Sequence, residues 1–445
     1  MASTSRRVLV IGGGGREHAL AWKIAADGAE VFVAPGNAGT AALATNLAVP
    51  SDDIQGLLAA ARKHGIDLTV VGPEAPLVAG VVDVFQAAGM RIFGPTAKAA
   101  QIEGSKAFCK QILRRGDVPT AMHREFRSAA AAKEYLSTRD DMPVVIKADG
   151  LAAGKGVFVC DGRDEAIEAV TTLAGDAQFA TAARTVLVEE RLDGCEVSVM
   201  AITDGRTIVT LPPLQDHKAA HDGDRGPNTG GMGAYCPTPF VDAALLADIE
   251  ARILVPTIHA MRRSQVPFHG VLFAGLMLTA QGPKVLEFNA RFGDPECETL
   301  LALLDSSLLE LLDAAVDRRL EAVSPPVWKP GAAVTVVMAS EGYPGQVEKG
   351  RPIRGLDDAA ALEGIEVFHA ATRHLPGPAG GATVNDGGRT LAVTAVGDSL
   401  ANAKRRAYAA VRRIRWQGAW CRKDIADKGI DRERLLASAD AEPDR

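Results

Sequence analysis

The sequence predicts an α/β protein that opens with a doubly wound parallel sheet. A small lid-like unit, a larger middle portion and a final α+β unit follow it. Three observations lead there. Four short apolar runs, VLVI at 8–11, VFV at 31–33, LTVV at 68–71 and RIF at 91–93, alternate with helical patterns such as 18–26 and 53–64. Strands alternating with helices imply parallel pairing. Each run also exits into a glycine- or proline-rich turn (GGGGRE, APGNAGT, VGPEAPL, FGPT), and ligands of such sheets bind outside the carboxyl ends of the strands. Finally, 445 residues exceed what one ordinary core organises.

Beyond Thr96 the pattern turns helical over 98–115, followed by VPTA at 118–121. VVIKA, VFVC, DEAIEAVTTLA and TVLVEERL then read as strand, strand, helix and strand, giving a compact lid over about 120–192. The middle portion holds EVSVMAIT, a long polar loop at 215–235, HGVLFAGLMLTA and KVLEFNARFG. SPPVWKPG at 324–331 reads as a linker to AAVTVVMAS, FHAAT, LAVTAVG and a helix at 399–414, while polar 437–445 frays. The expected units are therefore 1–104, 105–323 and 331–430, and no internal repeat is found.

Composition narrows the function classes. A net charge of −6 argues against nucleic acid as a partner. The basic run KRRAYAAVRRIR has helical spacing and reads as the solvated face of a helix. Six scattered cysteines lack CxxC pairs and fit free thiols in a reducing compartment. Neither a secretory leader nor an apolar run of membrane-spanning length is evident, so a cytoplasmic protein is expected.

The chemistry concentrates in two segments. VVIKADGLAAGKGV at 144–157 runs a β-branched strand into a glycine loop carrying Lys147 and Lys155, with Gly150, Ala153, Gly154 and Gly156 free to approach a polyphosphate. Lys147 sits within an otherwise apolar strand and demands a partner. VLEFNARFGDPE at 285–296 puts Glu287 and Asn289 at i and i+2, on one face of a strand. Such an oxygen pair suits magnesium or manganese, which takes its remaining ligands from water and phosphate. Together the segments indicate a nucleoside-triphosphate site, although no GxxxxGK[ST] loop is present. Arg291 and the Gly293 amide stand where they can clamp a carboxylate.

Other segments leave more than one reading open. GGGGREHAL follows a strand and opens a helix, a pattern that serves a dinucleotide, a sugar phosphate or a plain tight turn. Arg16 and the missing ribose-binding acid favour the sugar phosphate over a nicotinamide cofactor. VLVEERL ends with Glu189 and Glu190, and Glu196 follows. These are either nucleotide contacts or surface carboxylates. A loop as long as 215–235 is functional or disordered, and His217 with His221 lacks a third ligand for zinc.

These stretches, in this order, resemble the phosphoribosylamine–glycine ligase family of ATP-grasp enzymes. The matching motifs are GGREHALAWK, APGNAGT, VGPEAPLV, FGPT, EGSK, VIKADGLAAGKGV, QDHK, GPNTGGMGAY, AGLM, EFNARFGDPE, FHA, GGRTLAVTA and CRKDI. The resemblance spans about 8–425. It implies an N-terminal sheet domain, an ATP-grasp lid and central part, and a small C-terminal domain. It also implies ATP, glycine and 5-phosphoribosylamine as substrates, a glycyl phosphate intermediate, and a monomer. By resemblance, Glu287 and Asn289 are the metal ligands. Lys106, Lys147, Lys155, Glu189, Glu190 and Glu196, with the glycines of the loop, contact ATP. Asp216, Arg291 and Asp294 stand near glycine, and Gly13, Gly14, Arg16, Glu17, Asn37, Gly39, Thr40 and Glu74 face phosphoribosylamine. Cys195, Arg225, Ser307 and Ala371 depart from the family pattern. Another ATP-grasp ligase, an oxidoreductase and a non-catalytic nucleotide binder are the competing readings.

Overall fold

Strand Arg7–Gly12 lies at the centre of a five-stranded parallel sheet in the order Thr45–Asn46, Glu30–Pro35, Arg7–Gly12, Leu68–Val71, Ile92–Phe93. Its alternation explains the unbroken apolar run. Leu9 and Ile11 enter one core while Val8 and Val10 enter the other, so both faces are covered. Each such fully buried side chain contributes roughly 1.5–3 kcal/mol. The computed structural model describes residues 5–150, 156–175, 185–377 and 381–440. Among them, no helix is long and apolar enough to cross a membrane.

The expected helix over 98–115 is two helices, Ala97–Gly104 and Lys106–Arg115. Ser105 is extended (φ −139°, ψ 116°) and its hydroxyl accepts from the Phe108 amide at 3.1 Å, capping the second helix. The same hydroxyl donates to Asp149 at 3.0 Å, tying the break to the start of the glycine loop.

The lid is a four-stranded antiparallel sheet, His123–Phe126, Val186–Glu190, Val144–Ala148, Val157–Cys160. Helices Ala129–Thr138 and Arg163–Gly175 pack on it. Val144, Ile146 and Ala148 meet Val170 and Leu173 in a core of their own. Strand His123–Phe126 and helix Ala129–Thr138 were not expected from the sequence. The strand lacks any buried position, so it has no apolar signature.

The central sheet runs Ile208–Thr210, Cys195–Thr203, Gly270–Thr279, Gly282–Asn289. The polar segment 215–235 is not an open loop. Gln215–Asp216 and Gly233–Cys236 pair, and hairpin Ala219–His221/Arg225–Asn228 projects between them. Gly233–Cys236 then pairs with Ala332–Ser340, so the sheet of the C-terminal unit is built partly from this segment. Arg389–Gly397 and Ile365–His369 complete that sheet, and helix Leu400–Val411 covers it. Helix Asp427–Asp440 extends into the stretch expected to fray.

Candidate active site

The strand Gly282–Asn289 supplies the oxygen pair, and its geometry contains an irregularity. Gly275 faces Glu287, but the next partner, Leu276, faces Val285, leaving Leu286 as an extra residue. Such a bulge re-aims side chains and frees backbone groups. The freed Leu286 carbonyl accepts from Lys147 Nζ at 3.2 Å, joining the lid to the central sheet. Glu287 and Asn289 line a cavity of about 420 Å³. Among the described residues the Glu287 carboxylate has neither a hydrogen bond nor an ion pair, while Asn289 Oδ1 receives only a long 3.4 Å contact from Arg291. An unengaged carboxylate beside an amide oxygen is a donor set that fits a hard dication.

Lys147 finds its partner in Glu189. Glu189 Oε2 lies 3.0 Å from Lys147 Nζ and 3.2 Å from Lys110 Nζ, all three residues being buried. Burial pushes the Glu189 carboxyl up, yet Lys147 and Lys110 outweigh it and hold the group below its usual range. Burial lowers Lys110, with Lys147 adding to the effect. Lys110 also donates to Thr120 Oγ1 at 2.8 Å. Lys106 donates to the Gly150 carbonyl at 3.1 Å. Its pKa too is lowered, by burial against the opposing pull of Glu287. Lys106, Lys110, Lys147, Gly150, Gly156 and Glu189 all line the cavity. Ala153, Gly154 and Lys155 lie outside the described residues. Glu190 and Glu196 are not in the cavity wall. Glu190 accepts from the Met122 amide at 3.0 Å and Glu196 pairs with Lys218 at 3.1 Å.

Elsewhere on the cavity wall the charges are mixed. Lys218 Nζ lies 2.9 Å from Asp216, and although burial opposes its charge, Asp216, Glu196 and Glu287 raise it well above the lysine range. Burial, reinforced by Asp216 and opposed by Lys218, pushes the Glu296 carboxyl up to about 7. A Cβ at Gly293 would run into the Glu296 carboxylate and the Phe273 ring, which accounts for glycine in the RFGD turn. Arg291, expected to be free for a carboxylate, is held by Glu103 at 2.9 Å and Glu74 at 3.3 Å. Asp294 pairs with Arg389 at 3.0 Å.

The N-terminal turns divide. Arg16 and Glu74 reach the cavity. The Glu17 carboxylate instead folds beneath the glycine turn, accepting from the Gly14 amide and from Arg16, both at 2.6 Å, in the space a Cβ at Gly12 (φ +125°) would take. Asn37 donates to the Gly13 carbonyl at 3.0 Å and the His369 carbonyl at 2.7 Å, and accepts from the Gly39 and Thr40 amides. Thr40 Oγ1 bonds Asn46 at 2.8 Å. Glu17, Asn37 and Thr40 therefore have their side chains engaged in building the turns, contrary to the expectation that they face a ligand.

Sequence reasoning missed Glu103, Lys110, Lys218, Glu296 and Arg389 as individuals. EGSK, QDHK, EFNARFGDPE and GGRTLAVTA contain four of them, unremarked as single residues, and Lys110 is a lone charge on a helix. His217 and His221 are apart in character: the first is buried 6.0 Å from the Tyr235 ring, the second is exposed beside Trp420. Cys195 accepts from Gln215 at 3.1 Å, and burial raises its thiol above the usual value. Ser307 caps helix Leu308–Val316 and donates to Asp27 at 3.1 Å.

Glu298 is wholly buried, and neither carboxylate oxygen has a hydrogen-bond partner among the described residues. Burial, then Asp294, raises it well above the carboxylate range. An acid with a raised native pKa loses stability as pH climbs above its unfolded value, because only the unfolded chain releases the proton. Glu298→Gln removes that penalty. Scanning calorimetry is expected to give similar midpoints for both proteins near pH 5 and a midpoint a few degrees higher for the variant at pH 8. Parallel midpoints across that range would show that Glu298 is charged in the native state.

Comparison with known proteins agrees with this geometry. Residues 6–103, 104–297 and 333–428 match the family models for the phosphoribosylglycinamide synthetase N domain, ATP-grasp (A) domain and C domain. A phosphoribosylamine–glycine ligase of Rhodopirellula baltica is 56% identical over 430 residues, covering 95% of this chain and 98% of the relative. The crystal structure of a phosphoribosylamine–glycine ligase from Thermotoga maritima superposes with a TM-score of 0.81 at 33% identity, covering 94% of this chain and 100% of the other. The biotin carboxylase domain of a 2-oxoglutarate carboxylase from Hydrogenobacter thermophilus shares the fold alone (TM-score 0.68, 15% identity, 94% and 92% coverage). An ordered set of domains over nearly the full length, with the oxygen pair and the lysine cluster facing one cavity, leaves one assignment: the chain belongs to the phosphoribosylglycinamide synthetase family of ATP-grasp ligases.

Proposed function

We propose that the chain joins glycine to 5-phosphoribosylamine, cleaving ATP to ADP and phosphate, in purine biosynthesis. The observation that carries this reading is the gathering of three kinds of charge in one cavity. The lysines Lys106, Lys110 and Lys147, the oxygen pair Glu287–Asn289 and the mixed group Asp216, Lys218 and Glu296 all line it. Lysines neutralise a triphosphate as point charges. Glu287 and Asn289 would hold a magnesium or manganese ion, which would supply further neutralisation of the triphosphate.

Asp216 and Glu296 suit an ammonium, which sets the glycine carboxylate toward the γ-phosphorus. A carboxylate oxygen forms the new P–O bond as the bond to ADP breaks, giving glycyl phosphate. The phosphoribosylamine nitrogen then attacks the acyl carbon and phosphate leaves with the C–O bonding pair. The proton shed by nitrogen has an acceptor in Glu296, whose carboxyl stands at about 7. Catalysis here is mainly positioning and electrostatics. Arg16 and Glu74, with the glycine turn at 12–16 beside them, form the sugar-phosphate end. The Lys147–Leu286 hydrogen bond lets the lid shut against the central strand and keep water from the acyl phosphate. Six unpaired cysteines support a reducing compartment, the cytoplasm.

The test is phosphate release from ATP with each substrate left out in turn. Release is expected only when magnesium, glycine and phosphoribosylamine are all present. Release indifferent to glycine would overturn the substrate assignment and leave the ATP-grasp fold untouched.

A further inference from the structure

Asp216 and Lys218 belong to a segment with little apolar anchorage of its own. Its hairpin strand Arg225–Asn228 is exposed throughout. Side chains from the C-terminal unit hold it at both ends. Arg422 is fully buried, and its Nη1 donates to the Ala219 carbonyl and to Asp224, each at 3.0 Å. Its Nε and Nη2 donate to Asp424 at 2.7 and 2.6 Å, and Asp424 accepts in turn from the Gly223 amide at 2.8 Å. The Lys423 amide donates to Asp222 at 2.8 Å, and Lys428 pairs with Asp224. At the far end Arg389 Nη1 donates to the Gly230 carbonyl at 2.7 Å and the Asp294 carbonyl at 2.8 Å. Between the ends, the Thr229 amide and hydroxyl both donate to the Lys218 carbonyl at 2.8 Å.

We propose that Arg422 and Arg389 are positioning residues: they fix the segment 217–231 so that Lys218 and Asp216 keep their place at the amino-acid end of the cavity. A buried guanidinium must be fully paired, and its planar fork accepts one geometry of partners. Arg422 meets this with two carboxylates and one backbone carbonyl, so the hairpin can leave only by stranding the charge. Arg389 works from the opposite side, gripping the end of the segment and the Asp294 turn with one nitrogen. The C-terminal unit thereby acts on the reaction through the loop it holds. The kinetic part of this proposal rests on the reading of Asp216 and Lys218 as the glycine end.

The full chain is examined as Arg422→Gln, Arg422→Lys, Arg389→Lys and Asp224→Asn. The last alters a half-exposed side chain and keeps the test open if a buried replacement fails to fold. Amide hydrogen exchange without any substrate is expected to quicken about tenfold over 217–231, while strands Gly270–Thr279 and Gly282–Asn289 keep their protection. The half-saturating glycine concentration should rise about tenfold, that of ATP by less than about twofold, and Arg422→Lys should recover part of the loss relative to Arg422→Gln. Unchanged exchange over 217–231, or acceleration spread evenly through the C-terminal sheet, rejects the proposal. Loosening of the segment with unaltered glycine use rejects its kinetic part. Failure of the unsubstituted protein to use glycine is a separate result, which rejects the function assigned above and leaves the exchange data to judge the anchoring.

Discussion

Glu287→Ala is expected to lower turnover by about a thousandfold while the thermal midpoint of the substrate-free protein stays within about a degree. The rate loss follows from electrostatics. A dication on the transferring phosphoryl group is worth several kcal/mol of transition-state stabilisation, and each 1.4 kcal/mol is a factor of ten. Removing one of the two proposed protein ligands withdraws most of that. The constancy of the fold follows from the lack of a directly bonded partner. Glu287 makes no hydrogen bond or ion pair among the described residues, so its loss strands no partner, and Gly275 opposite it has no side chain to fall inward. Two measurements separate these claims: steady-state phosphate release, and electron paramagnetic titration of Mn²⁺ in the presence of ATP. Near-normal turnover together with undiminished Mn²⁺ binding would remove Glu287 from the metal site. Glu287→Asp is expected to recover part of the binding, because the hard oxygens remain but sit one methylene short.

Lys147, Glu287 and Asn289 stand out in the sequence because each violates its surroundings. Lys147 is a charge in an apolar strand, and Glu287 with Asn289 is a polar pair on one face of another. Such local contradictions mark function. Their partners were not legible. Lys110 is one of several cations on an amphipathic helix, and only the packing of Lys106–Arg115 on helix Val255–Arg263 and strand Gly282–Asn289 places it beside Glu189. Glu103 and Arg389 acquire meaning the same way, through contacts 188 and 95 positions away in the chain. The substrate-side turns misled for the opposite reason. Asn37 and Thr40 look like ligand lining, but short polar side chains in glycine-rich turns serve their own backbone first. The segment 215–235 read as an open loop because its strands are two to four residues long, and the longer strand that anchors Gly233–Cys236, Ala332–Ser340, begins about a hundred residues later.

Glu189→Gln tests whether that carboxylate meets the nucleotide or only steadies the lysines. The change is nearly isosteric, yet it leaves Lys110 and Lys147 facing each other with no counter-ion. Breaking a buried ion pair by removing one partner costs about 3–5 kcal/mol, reduced here to the extent that Lys110, already lowered by burial, gives up its proton. The substrate-free variant is therefore expected to melt several degrees below the parent. A triphosphate can supply the missing negative charge, since the same ammonium groups line the cavity. ATP binding stabilises the native state by RT ln(1 + [ATP]/Kd), so the rise in midpoint on adding ATP should be larger for the variant than for the parent. The opposite sign carries equal information. If Glu189 bonds the nucleotide directly, its replacement weakens binding and the ATP-induced shift shrinks. Thermal shifts at matched, saturating ATP, read at low and at moderate ionic strength, decide the matter. A buried countercharge effect persists in salt, whereas a change in long-range attraction fades within the Debye length.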